Sequence, residues 1–185
     1  MLGAPPADTE PASVLAFWRE AGPARWFRKD PVFDAAFRNR FLAAHEAAAR
    51  GELDAWAANA DGALALLILL DQFPRNAFRG TARMFATDRQ ALELANRALE
   101  AGFDRQVDNT LRNFFYLPLM HSEDAADQRR AVELAQPLGG EAYRFAVLHQ
   151  EIIEQFGRFP HRNALLGRET TADEQRFLDD GGFAG

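Results

Sequence analysis

The sequence has 185 residues, of which 48% are hydrophobic and 26% are charged, and this composition is typical of one globular domain. A formal net charge of −6 argues against nucleic-acid binding, which usually shows a basic excess. The absence of cysteine excludes disulfides, thiolate nucleophiles and cysteine-containing metal sites. The longest apolar run, 63–70, is too short to cross a bilayer, and the first ten residues do not resemble a signal peptide. We therefore expect a cytoplasmic protein with no membrane contact.

The N-terminal half shows a helical pattern after a short irregular start. Residues 1–9 are small and proline-rich, and we expect them to be flexible. Pro11 is expected to open the first helix, and Asp30, which is followed by a proline, is expected to cap the second. In that second helix an aromatic residue recurs every four positions, which predicts a buried stripe formed by Phe33, Phe37 and Phe41.

A third helix, over 61–72, is apolar on all sides and is expected to lie at the centre of the protein. Proline disfavours helical geometry in the residue before it, so Phe73-Pro74 and Phe159-Pro160 are each expected to end a helix. Further helices are expected over 88–101, 108–120, 125–138 and 141–156, with a short last helix after Thr171. The sequence thus predicts a single all-α domain over 10–185, with seven to nine helices in antiparallel pairs that can stack as tetratricopeptide units do.

Two polar residues continue the buried faces of their helices. Asp71 follows Leu64 by two helical turns, and His149 lies on the stripe that contains Phe145 and Ile152. A buried carboxylate needs a cationic or hydrogen-bonding partner, so Asp71 is either one half of a structural ion pair or part of a catalytic site. His149 is either a core histidine whose ring nitrogens have hydrogen-bond partners within the protein, or a ligand-binding residue.

The segment "LPLMHSE" places His121 and Glu123 just after Pro118, which must end or kink its helix. Both side chains are candidates for moving protons, together with Asp71. The spacing of His121, Glu123, His149 and His161 matches no known metal-ligand motif. We therefore predict neither a metal nor a cofactor.

Two segments repeat Phe-Pro followed by Arg-Asn, namely "DQFPRNAFRG" at 71–80 and "FGRFPHRNALLGR" at 156–168. Arginine forks pair with carboxylate or phosphate groups, and asparagine can hydrogen-bond the backbone of its own turn. If the two turns lie side by side, their arginines and histidines form an anion pocket; the alternative is internal bracing of Asp71 by Arg75 or Arg162. The candidate ligand-binding residues are Arg75, Asn76, His149, Arg158, His161, Arg162 and Asn163.

Three blocks in this order carry a family resemblance: "LDQFPRNAFRGTARMFATD", "FFYLPLMHSED" and "FGRFPHRNALLGRETTADEQRFL". Together with the earlier "VLAFWREAGPARWFRKDPVFDAAF", they resemble a mainly bacterial family catalogued as domain of unknown function 924, over 14–178. The resemblance implies an all-helical domain similar to tetratricopeptide-repeat proteins. It implies no activity, and it draws attention to the same motif residues.

Two functions are compatible with these residues, and a purely structural role is a third interpretation. The first is an enzyme or binding protein for an anionic metabolite, with a pocket of arginine, histidine and aspartate. The alternative is a tetratricopeptide-like scaffold that binds a protein or peptide, in which the motifs form a structural polar network. The sequence leaves open whether the protein is an enzyme, and it leaves the oligomeric state open.

Overall fold

The computed structural model describes residues 9–185, and all regular secondary structure in that range is helical. The all-α prediction is therefore confirmed. The flexible N-terminus expected at 1–9 lies, apart from residue 9, outside the described residues. The α-helices are α1 (Pro11–Ala21), α2 (Pro23–Trp26), α3 (Pro31–Ala49), α4 (Ala60–Leu67), α5 (Phe73–Ala77), α6 (Asp88–Glu100), α7 (Asn109–Arg112), α8 (Leu117–Met120), α9 (Ala125–Ala135), α10 (Gly140–Phe156) and α11 (Ala172–Asp179). Within the described range, seven of these have eight residues or more.

The described chain forms two compact units. Unit 1 contains residues 9–79 and 83–118, and unit 2 contains residues 80–82 and 119–185. The first Phe-Pro segment belongs to unit 1 except for its last glycine, and the second belongs to unit 2. The prediction of one domain over 10–185, and the similarity to tetratricopeptide units, stay predictions.

Helix starts follow the capping signals in the sequence. α1 begins at Pro11, as expected. The Asp30 carboxylate caps α3 by accepting hydrogen bonds from the amides of Val32 and Phe33, at 3.0 and 3.2 Å. At α11, Thr171 and Glu174 form the capping box that their spacing predicts. These starts depend only on residues within one turn, which is why the sequence predicts them well.

The core of unit 1 is built around α4 and its continuation. Every residue from 63 to 70 is at most 2% exposed, and α1 packs against α4. The predicted stripe on α3 is buried, and the rings of Phe37 and Phe73 meet edge to face with centroids 5.0 Å apart. Gly62 is required by a close approach, because a Cβ there would lie 1.9 Å from the carbonyl oxygen of Trp56.

The helix of the first motif does not end at Phe73-Pro74, contrary to the sequence prediction. A π-helical turn, Ile68–Gln72, joins α4 directly to α5, and the N–H of Phe73 bonds to the carbonyl of Ile68 five residues back. Pro74 therefore falls at the start of α5, where a missing N–H is tolerated. Phe73 keeps helical angles, φ −54° and ψ −49°, although a proline follows it. Complete burial of its ring outweighs the local preference.

The helix expected over 108–120 is divided into three short pieces. α7 is followed by a 3₁₀ turn, Asn113–Phe115, and then by α8, so the path breaks at Tyr116, two residues before Pro118. The Tyr116 hydroxyl donates to Asp104 at 2.9 Å, and both side chains are buried. Burial, together with the hydrogen bond to Asp104, raises the pKa of Tyr116 well above its ordinary value.

Unit 2 is built on α9, α10 and α11. α9 packs against α10, and Ile152, Ile153 and Phe159 form a buried cluster. α10 ends at Phe156 with Gly157 in the left-handed conformation at φ 70°. Phe159 is extended, with φ −89° and ψ 109°, as its position before a proline predicts. The second Phe-Pro pair thus lies three residues beyond its helix.

Candidate binding site in unit 2

Asp71, in unit 1, is one half of a buried ion pair. It is 1% exposed, and its Oδ1 lies 3.1 Å from Nη1 of Arg75, while its Oδ2 accepts from the Gln72 amide at 2.7 Å. Arg75 also forms a two-point pair with Asp88, at 2.8 and 3.0 Å. Burial by itself would lower the pKa of Arg75, but the two carboxylates raise it above the ordinary value. The sequence predicts this Asp71–Arg75 ion pair as the alternative to a ligand site.

Asn76 contacts a distant residue rather than the backbone of its own turn. Its Nδ2 donates to Oδ1 of Asp34 at 2.8 Å, and Arg79 Nε donates to the other oxygen of Asp34 at 3.0 Å. Asp34 lies on α3 and Asn76 on α5, so the pair fixes two helices of unit 1 to each other. The first motif therefore connects helices of unit 1 through three carboxylates: Asp34, Asp71 and Asp88.

In unit 2, Glu123 holds the second motif in place. Its two oxygens accept a two-point pair from Arg168, at 2.8 and 2.9 Å, and Oε1 also accepts from the Phe159 amide at 2.9 Å. Burial would raise the pKa of Glu123, but the bonds from Arg168 and from the Phe159 amide lower it below its ordinary value. An ionised carboxylate with a low pKa is a weak proton acceptor at neutral pH.

Glu174 accepts hydrogen bonds from two further polar residues of the second motif, Arg158 and Asn163. The Arg158 guanidinium donates to both of its oxygens, at 2.6 and 2.8 Å, and Asn163 and the Thr171 amide donate at 3.2 and 2.8 Å. The hydrogen bonds from Arg158 lower the pKa of Glu174 to about 2. Glu174 thus links the loop after α10 to the start of α11.

Three of the four histidines of the chain lie in one aromatic cluster in unit 2, which we call the histidine cluster: His121, His149 and His161 with Phe159 and Phe183. Ring centroids are 6.2 Å apart between His121 and His149, 4.7 Å between His149 and Phe183, and 5.2 Å between His161 and Phe183. His149 is 7% exposed, whereas His121 and His161 are partly exposed.

Hydrogen bonds fix the orientation of His149. Its Nδ1 lies 2.7 Å from the carbonyl oxygen of Phe145, one turn earlier on α10. Because a carbonyl oxygen only accepts, Nδ1 carries the proton, and Nε2 is the nitrogen that gains a second proton when the ring becomes charged.

The backbone at His121 is held by two buried side chains. Gln128, which is fully buried, donates from Nε2 to the carbonyls of Met120 and Ser122, at 2.7 and 2.6 Å. Arg162 Nη2 donates to the carbonyl of His121 at 2.9 Å, and its guanidinium lies 4.5 Å from the centroid of Phe159. The imidazole of His121 is therefore carried by a backbone with little freedom to move.

The structure separates the candidate residues into two groups. Asp71, Arg75 and Asn76 belong to unit 1, and each has a carboxylate or arginine partner there. Unit 2 holds the other seven candidates in one set of connected contacts: His121, Glu123, His149, Arg158, His161, Arg162 and Asn163. Sequence reasoning missed Gln128, Glu174 and Phe183 as members of this set. Gln128 carried a signal, because it shares the buried face of α9 with Ala131 and Ala135.

Two surface grooves are described, one in each unit. The groove in unit 2 has a volume of about 1060 Å³, runs along the end of α10 and α11, and includes Arg158 with Phe156 and Phe177.

Within residues 9–185, no group of three or more histidine, aspartate or glutamate side chains is arranged to hold a metal ion. None of the helices described is long and apolar enough to span a membrane.

These features define an all-α protein with a histidine cluster in unit 2, next to two part-buried ion pairs, Glu123–Arg168 and Arg158–Glu174. The sequence pattern of a family described as "Bacterial protein of unknown function (DUF924)" matches residues 14–182, and the chain belongs to that family. The solved structure of a protein of unknown function from Agrobacterium tumefaciens is similar, with a TM-score of 0.91 and 54% identity. The match covers 92% of this chain and 97% of that one. No curated protein matches the chain significantly.

Proposed function

We propose that this protein binds an anionic small molecule at the histidine cluster of unit 2. The observation that carries the proposal is the convergence of three of the four histidines, from three separate elements, around Phe159 and Phe183. Packing alone rarely places three imidazoles together, because each is a polar ring that needs hydrogen-bond partners when buried. Arg162 adds a guanidinium at the same place, through its bond to the His121 carbonyl.

The chemistry of these groups fits a carboxylate or phosphate. Imidazoles titrate near pH 6.5, so each one that gains a proton adds a positive charge and a second N–H donor. His121 and His161 are partly exposed, whereas His149 is buried. Phe183 supplies an apolar wall between His149 and His161, which suits a ligand with a small hydrocarbon part.

The proposed activity is ligand binding, and the Glu123 and Asp71 carboxylates do not act as proton acceptors in it. Glu123 is held ionised by Arg168, and Asp71 is paired with Arg75 in unit 1. If this site moves a proton, His121 or His149 is the group that does so, because histidine is the side chain that most often serves as a general acid or base. The catalytic candidates Glu123 and Asp71 are better described as residues that hold the backbone and the helices in position.

A thermal-shift measurement tests the proposal with inorganic phosphate, citrate and succinate as probes. We expect at least one anion to raise the melting temperature more at about pH 6 than at about pH 8, because a protonated imidazole attracts an anion by its charge and donates two N–H bonds, whereas a neutral one donates only one. A ligand present at one hundred times its Kd stabilises the native state by about 2.7 kcal/mol. Each shift is measured against the same buffer without the anion.

Two variants and one control locate the site. His121→Gln and His161→Gln should remove most of the shift while the melting temperature without anion changes little, because both side chains are partly exposed. Arg89→Gln removes a positive charge from a side chain in unit 1 that is 92% exposed, and it should keep the full shift. Equal shifts in all three variants, or none in the wild type, would contradict the proposal and favour the peptide-binding scaffold.

A further inference from the structure

The segment that follows α11 lies against the histidine cluster. The centroid of the Phe183 ring is 4.7 Å from that of His149 and 5.2 Å from that of His161. Gly185 also lies at the His161 ring, because a Cβ on this glycine would be 3.1 Å from Cδ2 and 3.2 Å from Nε2. Residues 183–185, which we call the cover segment, therefore contact two of the three imidazoles of the cluster.

The end of α11 directs the cover segment toward the histidine cluster. Gly181 has φ 83°, and its amide donates to the carbonyl of Leu178 at 3.2 Å. The Gly182 amide donates to the carbonyl of Phe177 at 2.9 Å, and the two bonds together form a Schellman turn. Both glycines line the groove of about 1060 Å³ in unit 2, so the turn borders open space. A Cβ at Gly182 would lie 2.5 Å from the Phe177 carbonyl oxygen, so a larger residue there must shift the chain.

Few contacts hold the cover segment in place. Within residues 9–185, its amides donate no hydrogen bond to a backbone carbonyl. The Phe183 ring is partly exposed and packs against the buried apolar cluster around Ile152, whereas Ala184 and Gly185 are exposed. A segment that is held mainly by one apolar side chain opens at a much lower free energy than a packed helix does.

The cover segment controls how far His149 is exposed. His149 is 7% exposed, and the rings of Phe159 and Phe183 lie on it with centroid distances of 5.4 and 4.7 Å. Phe159 is fully buried in the core of unit 2 and cannot move away without disrupting that core. Phe183 belongs to the weakly held cover segment, so it is the ring of the two that can uncover His149.

We propose that the cover segment is a lid that moves about Gly182 and controls the access of an anion to His149. When the lid is open, a dissolved anion reaches the imidazole. When the lid is closed, Phe183 excludes water from His149, and exclusion of water strengthens the attraction between a protonated imidazole and an anion. The control of anion access rests on the proposed function, whereas the movement of the lid does not.

The rate at which diethyl pyrocarbonate acylates each histidine tests the lid, because this reagent attacks the unprotonated nitrogen of an accessible imidazole. In neutral His149 that nitrogen is Nε2, since Nδ1 donates to the Phe145 carbonyl. Mass spectrometry gives each rate relative to that of N-acetylhistidine in the same solution. We expect His149 of the wild type to react more slowly than the partly exposed His121 and His161.

Low concentrations of urea distinguish a moving lid from a fixed cover. Urea favours an open state in proportion to the surface that the opening exposes. If His149 reacts when the lid opens, its rate should change little with urea below the unfolding transition, because opening exposes few side chains. Hydrogen exchange of the amides of α10 measures the unfolding of unit 2 and should rise steeply with urea in the same samples.

Variants of the lid assign the opening to Phe183 and Gly182. Phe183→Ala removes the covering ring, and Gly182→Ala shifts the chain without changing any group that contacts a histidine. Each should raise the His149 rate at least about tenfold, which corresponds to about 1.4 kcal/mol in the opening equilibrium. Phe27→Ala is the matched control and should keep the wild-type rate, because this ring is 65% exposed and lies in unit 1. Slow exchange of the α10 amides checks that unit 2 of each variant is folded.

Two results would overturn the lid. One is a His149 rate that rises with urea as steeply as exchange at α10 does, which would make Phe183 a fixed part of the core. The other is a rate that Phe183→Ala and Gly182→Ala leave unchanged.

Inorganic phosphate distinguishes failure of the lid from failure of the proposed function. Phosphate bound at the histidine cluster should slow the acylation of His149 in the wild type. If the variants and the urea series behave as expected but phosphate gives no protection, the lid is correct and the anion site is wrong. If phosphate protects His149 but the variants change nothing, the anion site is correct and the lid is wrong.

Discussion

The two Phe-Pro segments share a sequence pattern but not a backbone conformation. In unit 1, Phe73 and Pro74 lie within a continuous helical path that passes through a π turn. In unit 2, Phe159 is extended and its helix has already ended at Phe156. The difference lies in what comes before the pair: a fully buried apolar run in unit 1, and Gly157 in unit 2. A short motif therefore fixes its conformation only together with the packing of its neighbours.

The arginine after each proline also takes a different role. Arg75 lies between two carboxylates, Asp71 and Asp88, and connects helices of unit 1. Arg162 donates to the His121 carbonyl and stacks on Phe159, so it positions a histidine of the cluster. The first motif thus joins helices of unit 1 through ion pairs, whereas the second lies beside the three imidazoles of the histidine cluster.

The largest expected effect comes from breaking the ion pair of the first motif. Asp71→Ala should cost about 2–3 kcal/mol of unfolding free energy, because it leaves the buried Gln72 amide without this partner and removes one of the two carboxylates that compensate Arg75. Urea unfolding followed by circular dichroism measures the change. A loss below about 1 kcal/mol would contradict a stabilising role for the first motif.

The helix end in unit 2 provides the next test of the comparison. Gly157→Ala should cost about 1–2 kcal/mol, because the position has φ 70° and a Cβ disfavours that region. Glu151→Ala, at an exposed position on the same helix, is the matched control. If Gly157→Ala proves as stable as that control, the left-handed conformation of Gly157 is not the reason why the two Phe-Pro segments differ in backbone conformation.

Acid stability should depend on Glu174 over a defined pH range. Its pKa is about 2 in the folded protein and about 4.3 in an unfolded chain, so its ionised form stabilises the fold fully above about pH 4.3. That contribution is lost as pH falls toward 2. Glu174→Gln should therefore lose stability less steeply than the wild type between about pH 5 and pH 2, measured by urea unfolding at each pH. Glu133→Gln, at an exposed position of α9, should keep the wild-type slope.

The smallest effect is expected at an exposed ion pair of unit 2. Asp173 pairs with Arg176 on the surface of α11, and both side chains are more than 70% exposed. Asp173→Ala should change the unfolding free energy by less than about 1 kcal/mol, because exposed pairs are screened by water. A larger loss would show that surface pairs matter here as much as the buried pair of the first motif.

Much of the fold was predictable because its determinants are local. Pro11, the Asp30 cap and the Thr171–Glu174 capping box act within one turn, and each starts a helix where the sequence predicts one. The burial of Asp71 and His149 was also predictable, because each continues an apolar stripe at helical spacing. The sequence alone thus determined the all-α class, the central apolar helix and the polar residues inside it.

Only the tertiary structure decided which partners these polar residues meet. Asn76 contacts Asp34 from 42 residues away, and Glu123 pairs with Arg168 from 45 residues away. Such pairs depend on how helices pack, which no local spacing encodes. The π turn before Pro74 has the same origin, because burial of Phe73 outweighs the local preference of a residue that precedes proline. The histidine cluster likewise exists because α10 and two loops of unit 2 pack together, which brings three imidazoles from separate parts of the sequence to one place.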